Sequence, residues 1–549
     1  MSAPSPSPSP SPGPRPARPS GTIAPEDLRS ILRGGSEIAL LDVREEGAFL
    51  EGHLFLARNL PLGRIASRVE TLVPRRRVLV VTMDGGPDDG GRAADAARRL
   101  LELGYTNVLS LDGGLAAWRR AGGEVFSGAH VPSKAFGEFV ALTYRTPAIT
   151  PQALRDLVAS GRDVRVLDAR TFDEYRAMSI PAAISVPGEE LVLRVGDIAP
   201  DPHTLVVVNC AGRTRSIIGA QSLINAGIAN PVAALKDGTS GWQLAGLPLV
   251  NGAVARAPET SAAGRMAARK GAAAVARRFG VRALSRSHLA RWQAEAAIRT
   301  LYLVDVRSPA EFASGHIAGS RNVPGGQLVQ ATDTHLGVAN ARVALVDDDG
   351  VRAAMTASWL IQMGWSDVGV VTDALDGPLV RQPSGTPAGA EGIDGVSPVA
   401  LSALLRSSLA VVVLDVAPPA EFERGHVPGA YAVAGAAPEA VWSAVANFDA
   451  VVLTAPTPAA ARAEALRLRT VAPAAPLQVL AGGTPTWIAS GLPIEAGAGM
   501  RLPLAGPACA PAADRAALDR ELRKYLSWEV GLVEQLRRSG EAPFRYFAR

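Results

Sequence analysis

One short segment of the chain combines a thiol, a glycine and two arginines. It begins at Cys210 and continues through the loop residues Ala211, Gly212, Arg213, Thr214, Arg215 and Ser216. A thiolate is a strong nucleophile, but a free cysteine with a pKa of about 8.5 is only slightly ionised at neutral pH. Lowering that pKa by two units requires about 2.7 kcal/mol of preferential stabilisation of the anion. The segment therefore predicts a nucleophilic cysteine if its surroundings favour negative charge.

The sequence on either side of Cys210 indicates such surroundings. An uninterrupted apolar run precedes it and is typical of a buried strand, and a helical pattern follows from Ser216. Backbone N–H groups and the dipole at a helix start can converge on an anion. Arg213 and Arg215 add two positive charges, and Gly212 permits the backbone angles that a cradle requires. We expect this loop to hold the thiolate and to bind an incoming oxyanion.

The strand that must position this loop belongs to a pattern that occurs four times. A β-rich run ending in aspartate recurs at Asp42, Asp168, Asp305 and Asp415, with separations of 126, 137 and 110 residues. These separations are too long for a solenoid repeat, so each copy is a whole domain. Some 40 residues after each aspartate comes a second apolar run, then a loop and a helical stretch. This order predicts an α/β unit with a small parallel sheet flanked by helices.

Aligning the four second runs gives the residues that stand in place of the thiol. Cys210 aligns with Met83, Asp348 and Ala455 in the other copies, with a register secure to about one residue. Only the second copy carries a thiol at this position. The alignment therefore predicts one domain with a nucleophile and three without.

The order of these features resembles the rhodanese (sulfurtransferase) family. The resemblance rests on the Asp-x-Arg strand, the E-[FY]-x-x-G-H-[IV] signature, the cysteine loop and a Gly/Trp turn, and it covers some four-fifths of the chain. The signature is complete in the third and fourth copies and degraded in the second, where Met178 and Ser179 replace Gly-His. The predicted units are a disordered Pro/Ser tail (1–21), four domains (22–127, 145–251, 282–384 and 393–497), an Ala/Arg linker (252–281) and a C-terminal amphipathic helix (511–538).

The resemblance implies a two-step sulfur transfer. The Cys210 thiolate would take the sulfane sulfur of thiosulfate or a similar donor and pass it from a persulfide to cyanide or a thiol, without a metal or an organic cofactor. The second domain would be active and the other three inactive. The alternative is a non-enzymatic sulfur relay or scaffold, in which Cys210 is a single persulfide carrier that serves a sulfur-accepting protein.

Two other interpretations of Cys210 stay open. Phosphatases and arsenate reductases of this fold class place an arginine after five intervening residues, but here Arg215 follows after four and Ser216 takes the next position. Cys210 could also be a small buried hydrophobic residue. The G-R-T-R-S sequence after it argues against a purely structural thiol.

Several further residues are weaker candidates. Asp168 and Arg170 have equivalents in the copies without a thiol, which favours a structural ion pair over a supporting role. Trp242 either lines the mouth of the pocket or packs in the core. The acidic run 347–349 could hold a metal, although a solvated loop is the simpler interpretation. Cys509 could meet the Cys210 persulfide, but nothing in the sequence places it nearby.

The composition of the chain bears on its partners and its cellular compartment. The chain has 549 residues, of which 47% are hydrophobic, and 56 basic against 52 acidic residues give a net charge of +4. This near-balance does not predict a nucleic-acid partner. No apolar run reaches the length needed to span a bilayer, so we expect no membrane association. Two cysteines suit a reducing compartment, and we expect a cytoplasmic protein.

Overall fold

The structure is a computed structural model. It describes residues 21–548, with gaps at 382–392, 407–410, 435, 437, 446–447, 449, 473–476, 498–499 and 502–514. The predicted tail (except residue 21), Cys509 and the first four residues of the predicted C-terminal helix lie outside the described residues.

Domain 1 contains a sheet in the order β1-β5-β4-β2, with β3 beside β2. Its strands are β1 (Gly21–Ile23), β2 (Ile38–Asp42), β3 (Arg58–Asn59), β4 (Leu79–Met83) and β5 (Val108–Leu111). Its helices are α1 (Pro25–Arg33), α2 (Glu46–Glu51), α3 (Ile65–Leu72), α4 (Arg92–Glu102) and α5 (Gly114–Arg120). Helix α6 (Val131–Tyr144) connects it to domain 2.

Domain 2 contains a parallel sheet in the order β6-β10-β9-β7-β8. The strands are β6 (Ala148–Ile149), β7 (Val164–Asp168), β8 (Ala183–Ser185), β9 (Leu205–Asn209) and β10 (Val232–Leu235). The helices are α7 (Pro151–Ala159), α8 (Phe172–Ala177), α9 (Leu191–Ile198), α10 (Thr214–Ala226) and α11 (Gly238–Leu244). The linker that follows forms helix α12 (Ala262–Phe279).

Domain 3 repeats this arrangement in the order β11-β16-β15-β12-β13. The strands are β11 (Arg282–Leu284), β12 (Leu301–Asp305), β13 (Arg321–Asn322), β14 (Val338–Ala339), β15 (Arg342–Val346) and β16 (Asp367–Val371). The helices are α13 (Arg286–Ala294), α14 (Pro309–Ser314), α15 (Gly325–Gln330), α16 (Thr332–His335) and α17 (Arg352–Gln362). Strand β14 leaves its own domain and pairs antiparallel with β2 of domain 1.

Domain 4 contains a sheet in the order β17-β21-β20-β18-β19-β22. The strands are β17 (Asp394–Val396), β18 (Val411–Asp415), β19 (Tyr431–Ala432), β20 (Ala450–Thr454), β21 (Leu477–Leu480) and β22 (Met500–Arg501). The helices are α18 (Pro398–Leu405), α19 (Pro419–Arg424), α20 (Pro438–Val445), α21 (Pro458–Val471) and α22 (Gly483–Ala489). Helix α23 (Arg515–Ser539) follows.

The predicted architecture of four α/β domains and a C-terminal helix is confirmed. Domains 1–3 share one continuous hydrophobic cluster, which includes Val80, Val208 and Leu345 from their central strands. Domain 4 has two clusters formed from its own residues. Because burial of apolar surface is the main stabilising contribution to folding, domains 1–3 stabilise one another.

The C-terminal helix packs on the chain's own domains. Leu532 and Leu536 of α23 are buried against Phe55, Phe126 and Val131 around the start of α6. Among the described residues, no helix combines the length and apolar character needed to cross a bilayer.

Candidate active site

Cys210 lies directly after β9 and just before α10. The sheet registers pair the repeat aspartates with Met83, Asn209, Val346 and Thr454. The residues that follow these four are Asp84, Cys210, Asp347 and Ala455. The predicted alignment with Met83 and Asp348 was therefore wrong by one residue, because sequence spacing does not define the last residue of a strand.

The loop is attached to the neighbouring start of α11. The backbone N–H of Thr239 donates to the carbonyl oxygen of Cys210 at 2.8 Å, and that of Ser240 donates to the carbonyl of Ala211 at 2.9 Å. Gly238 has a φ of +54°, and a Cβ there would lie 2.3 Å from the Cys210 carbonyl oxygen. Only glycine permits both this angle and this approach, so the Gly/Trp turn holds the cysteine loop in place.

The thiol of Cys210 is enclosed, with 2% of the residue exposed. Burial raises the pKa of Cys210, while the charge of Arg215 and the polar groups of Ser216 oppose the shift. The expectation of a lowered pKa was therefore wrong for this closed arrangement, because desolvation outweighs the cationic and amide groups. Ser216 and Arg215 both favour the thiolate, and their role in binding a substrate stays a prediction.

Arg215 is oriented by a carboxylate that the sequence analysis did not single out. Its two terminal nitrogens donate to the two oxygens of Glu174, each at 2.7 Å. Glu174 also accepts from the backbone N–H of Thr171 at the start of α8. Burial opposes ionisation of Glu174, but the charge and hydrogen bonds of Arg215 outweigh it and lower the pKa of Glu174 to about 2. Glu174 is the first residue of the repeated E-[FY] signature, so a signal for it was present in the sequence.

Arg213 does not serve as the second cation that the sequence predicts for the thiolate. Its guanidinium donates to Glu138 of α6 at 2.5 and 2.8 Å and to Asp237 at 2.8 Å. Its carbonyl oxygen accepts from the hydroxyl of Ser216 at 2.7 Å. Arg213 therefore fastens the loop to α6 and to the segment before α11, and two carboxylates balance its charge.

Helix α23 covers the loop. A Cβ built on Gly212 would lie 3.3 Å from Cε1 of Tyr525, 3.5 Å from Oε2 of Glu529 and 3.9 Å from Cδ2 of Leu526. The hydroxyl of Thr214 donates to Oε1 of Glu529 at 2.5 Å. Burial raises the pKa of Glu529, and the hydrogen bond from Thr214 opposes the shift. Nothing in the sequence indicates this contact, because the two residues are 315 positions apart.

The weaker candidates have structural contacts. Arg170 donates to Asp168 at 2.7 and 2.8 Å and to the Met178 carbonyl at 2.6 Å. Asn209, adjacent to Cys210, donates to Asp168 at 2.9 Å. Trp242 is buried in the core of domain 2 and its ring N–H donates to the Pro248 carbonyl at 2.8 Å. These residues support the strands and the turn around the site.

The acidic run of domain 3 is bonded to protein groups. Asp347 accepts from the backbone N–H of Ala353 at 2.9 Å, while Asp348 and Asp349 accept from Arg352 at 2.6 and 2.5 Å. The described part of the chain contains no group of three or more His, Cys, Asp or Glu residues arranged to hold a metal.

Comparison with known proteins identifies the family. The rhodanese-like domain model matches residues 24–121, 150–245, 285–377 and 397–490, so the chain belongs to the rhodanese-like domain family. A crystal structure of a thiosulfate sulfurtransferase from Pseudomonas aeruginosa is 44% identical with a TM-score of 0.73, covering 96% of this chain and 100% of that one.

Two curated relatives are consistent with this. SseB of Mycobacterium tuberculosis, which is named as a putative thiosulfate sulfurtransferase, is 31% identical over 205 residues, 31% of this chain and 72% of its own length. Thiosulfate sulfurtransferase GlpE of Pseudomonas aeruginosa is 28% identical over 97 residues, 18% of this chain and 82% of its own length. These similarities confirm the expectation of a thiosulfate sulfurtransferase-like enzyme.

Proposed function

We propose that this protein transfers a sulfane sulfur from thiosulfate or a similar donor to cyanide or a thiol through a persulfide on Cys210. The observation that carries the proposal is the placement of Cys210. It is the only cysteine among the described residues, and it lies just before α10 beside Ser216 and Arg215. No metal or organic cofactor takes part in this scheme, because the sulfur is carried covalently.

The proposed reaction has two displacements. In the first, the Cys210 thiolate attacks the outer sulfur of thiosulfate, the S–S bond of the donor breaks, and sulfite leaves with the electron pair. In the second, cyanide or a thiolate attacks the outer sulfur of the persulfide, and Cys210 leaves as a thiolate. Both displacements balance in atoms and charge. Because the donor product leaves before the acceptor reacts, the kinetics should be ping-pong.

The groups around the loop support this scheme. Arg215, held by Glu174, opposes the effect of burial on the thiol pKa, and the Ser216 amide acts in the same direction as Arg215. Ala211, Gly212 and Thr214 complete the backbone loop that would hold the persulfide and an oxyanion. Asp168 and Arg170 would act only by supporting Asn209, the residue before Cys210.

The test is thiocyanate formation from thiosulfate and cyanide. We expect turnover in the wild-type protein, loss of turnover in Cys210→Ser, and unchanged turnover in the matched control Cys509→Ser. Peptide mass spectrometry after thiosulfate treatment should find one added sulfur atom on the Cys210 peptide. A wild-type protein that gains no sulfur on Cys210 would contradict the proposal.

A sulfur relay is the second candidate, and the burial of Cys210 under α23 favours it. Cys210 is 2% exposed, so small molecules in solution have little access to its thiol. In the relay, a partner protein displaces α23 and serves as the sulfur donor or acceptor. In that case the persulfide should form slowly with thiosulfate and rapidly with a persulfide-bearing protein. Equal rates with both donors would argue against the relay. Either reaction needs a free thiol, which a reducing compartment such as the cytoplasm would preserve.

A further inference from the structure

Helix α23 places a carboxylate at the mouth of the cysteine loop. Glu529 is 1% exposed, and its Oε1 accepts from Thr214, the first residue of α10. Its second oxygen, Oε2, accepts no hydrogen bond within the described residues and lies 3.5 Å from the position of a Cβ on Gly212. A buried carboxylate oxygen without a partner is unfavourable, so its position against the loop requires an explanation.

The carboxylate acts electrostatically on the reactive thiol. The negative charge of Glu529 contributes to raising the pKa of Cys210. The Thr214 hydroxyl and the amides at the start of α10 are also the groups that an oxyanion of a sulfur donor would use. Glu529 therefore occupies the surface that an anionic donor needs, and it repels that donor.

The helix is held in this position by other parts of the chain. The ammonium group of Lys134 on α6 lies 4.8 Å from the ring centre of Tyr525 and 4.7 Å from that of Trp528. Gln535 donates to the Val125 carbonyl at 2.9 Å. These contacts come from the end of domain 1 and the connecting helix, so the position of Glu529 depends on the assembled chain.

We propose that Glu529 is a specificity-determining residue that selects sulfur donors by charge. Its carboxylate competes for the loop from within the chain, so doubly charged free anions, thiosulfate included, react more slowly than uncharged or singly charged carriers of sulfane sulfur but are not excluded. This inference rests on Cys210 being the reactive residue of the proposed function. It concerns which reagents reach the thiol, whatever reaction follows.

The test compares two alkylating reagents of similar size and different charge. Iodoacetate is an anion and iodoacetamide is neutral, and both react with the thiolate. The ratio of their rate constants therefore cancels the thiolate fraction and reports charge selection alone. Labelling of Cys210 is followed by peptide mass spectrometry in the full-length protein at one fixed, mildly alkaline pH.

We expect Glu529→Gln to raise the iodoacetate-to-iodoacetamide ratio about tenfold, because a like charge against the cysteine loop is removed without a change in side-chain shape. Glu529→Asp keeps the charge and should keep a ratio close to wild type. Glu534→Gln removes an exposed carboxylate from the same helix and is the matched control.

Several outcomes would overturn the proposal. An equal rise of both rates in Glu529→Gln would show that α23 obstructs the site only sterically. A ratio within about twofold of wild type, or an equal change in Glu534→Gln, would also overturn it. So would a Cys210 that neither reagent labels in Glu529→Gln. Because alkylation requires no sulfur transfer, absence of thiocyanate formation would contradict the proposed function and leave this inference standing.

Discussion

The loops after β9 and β15 have the same surrounding contacts, which we call the frame. They differ in the first residue after the strand, which we call the central group. Each follows a strand whose neighbour carries a buried Asp–Arg pair, and each has an arginine at the helix start that binds the glutamate of the E-[FY] signature. At the centre, domain 2 has the thiol of Cys210 and domain 3 has the carboxylate of Asp347. The two loops therefore show which contacts are common to both domains and which group is particular to domain 2.

The domain 3 loop shows that the amide at the helix start binds an acidic group. Ala353 donates its N–H to Asp347 at 2.9 Å, and the amide of Ser216, which also follows the central residue by six positions, lowers the pKa of the Cys210 thiol. Even so, burial and the charge of Asp349 raise the pKa of Asp347 to about 8. In both loops burial outweighs the amide, so the amide alone does not keep the central group ionised.

Arg352 and Arg215, the arginines of the two loops, differ in the number of carboxylates that bind them. Arg352 binds four carboxylates within hydrogen-bond distance: Glu190, Glu311, Asp348 and Asp349. Arg215 binds Glu174 and also acts on the thiol. Since Glu190 belongs to domain 2, Arg352 joins two domains, and only Arg215 is placed to assist a nucleophile.

Moving the thiol between the loops is the most severe test of this comparison. In the double variant Cys210→Ser/Asp347→Cys we expect turnover to stay at least about 10³-fold below wild type, because the carboxylates around Arg352 leave no excess positive charge for a thiolate. The measurement is thiocyanate formation. Recovery of about a tenth of wild-type turnover would show that the frame alone suffices.

Replacing each arginine in turn should show which one affects the reactivity of the thiol and which one affects the stability of the fold. Arg215→Gln should slow iodoacetamide labelling of Cys210 at least about tenfold at fixed pH, since an opposite charge near an acidic group shifts its pKa by about 1–3 units. Arg352→Gln should leave labelling within about twofold but cost about 3–5 kcal/mol of unfolding free energy, because the buried carboxylate of Asp349 and three further carboxylates lose their shared cation. Similar labelling rates in both variants would contradict the assignment.

The pH dependence of labelling should follow the raised pKa of Cys210. A thiol with a raised pKa stays neutral to higher pH, so its thiolate appears only above the ordinary value of about 8.5. We expect the iodoacetamide rate to rise about tenfold per pH unit through that value without a plateau. A plateau near neutral pH would show that α23 is displaced in solution.

The smallest expected effect is a loss of stability on substitution of Asn209, the residue before Cys210. Asn209 donates to Asp168 at 2.9 Å and to Thr239 at 3.1 Å, whereas domain 3 has Val346 at this position. Asn209→Val should reduce the free energy of unfolding by about 1–2 kcal/mol in urea titrations. Val346→Asn is the reciprocal control, and it should also destabilise because it replaces a fully buried apolar side chain with a polar amide.

Local patterns predicted much of the site and part of its electrostatics. The Val-rich strand, the glycine turn and the helix start are encoded by neighbouring residues, so Cys210, Arg215 and Ser216 could be placed together in advance. The partners of Arg213 could not, because Glu138 and Asp237 come from separate elements. The assumption that Arg213 faces the sulfur was wrong for that reason.

The repeated motifs therefore determine four α/β domains and a single cysteine loop, because hydrophobic periodicity and turn chemistry act over short stretches of chain. Tertiary structure alone decided what surrounds that loop. Strand β14 joins domain 1, and α23 brings Glu529 over a loop that lies far earlier in the chain. Desolvation depends on the complete packing around a group, so the direction of the Cys210 pKa shift became visible only in the assembled chain.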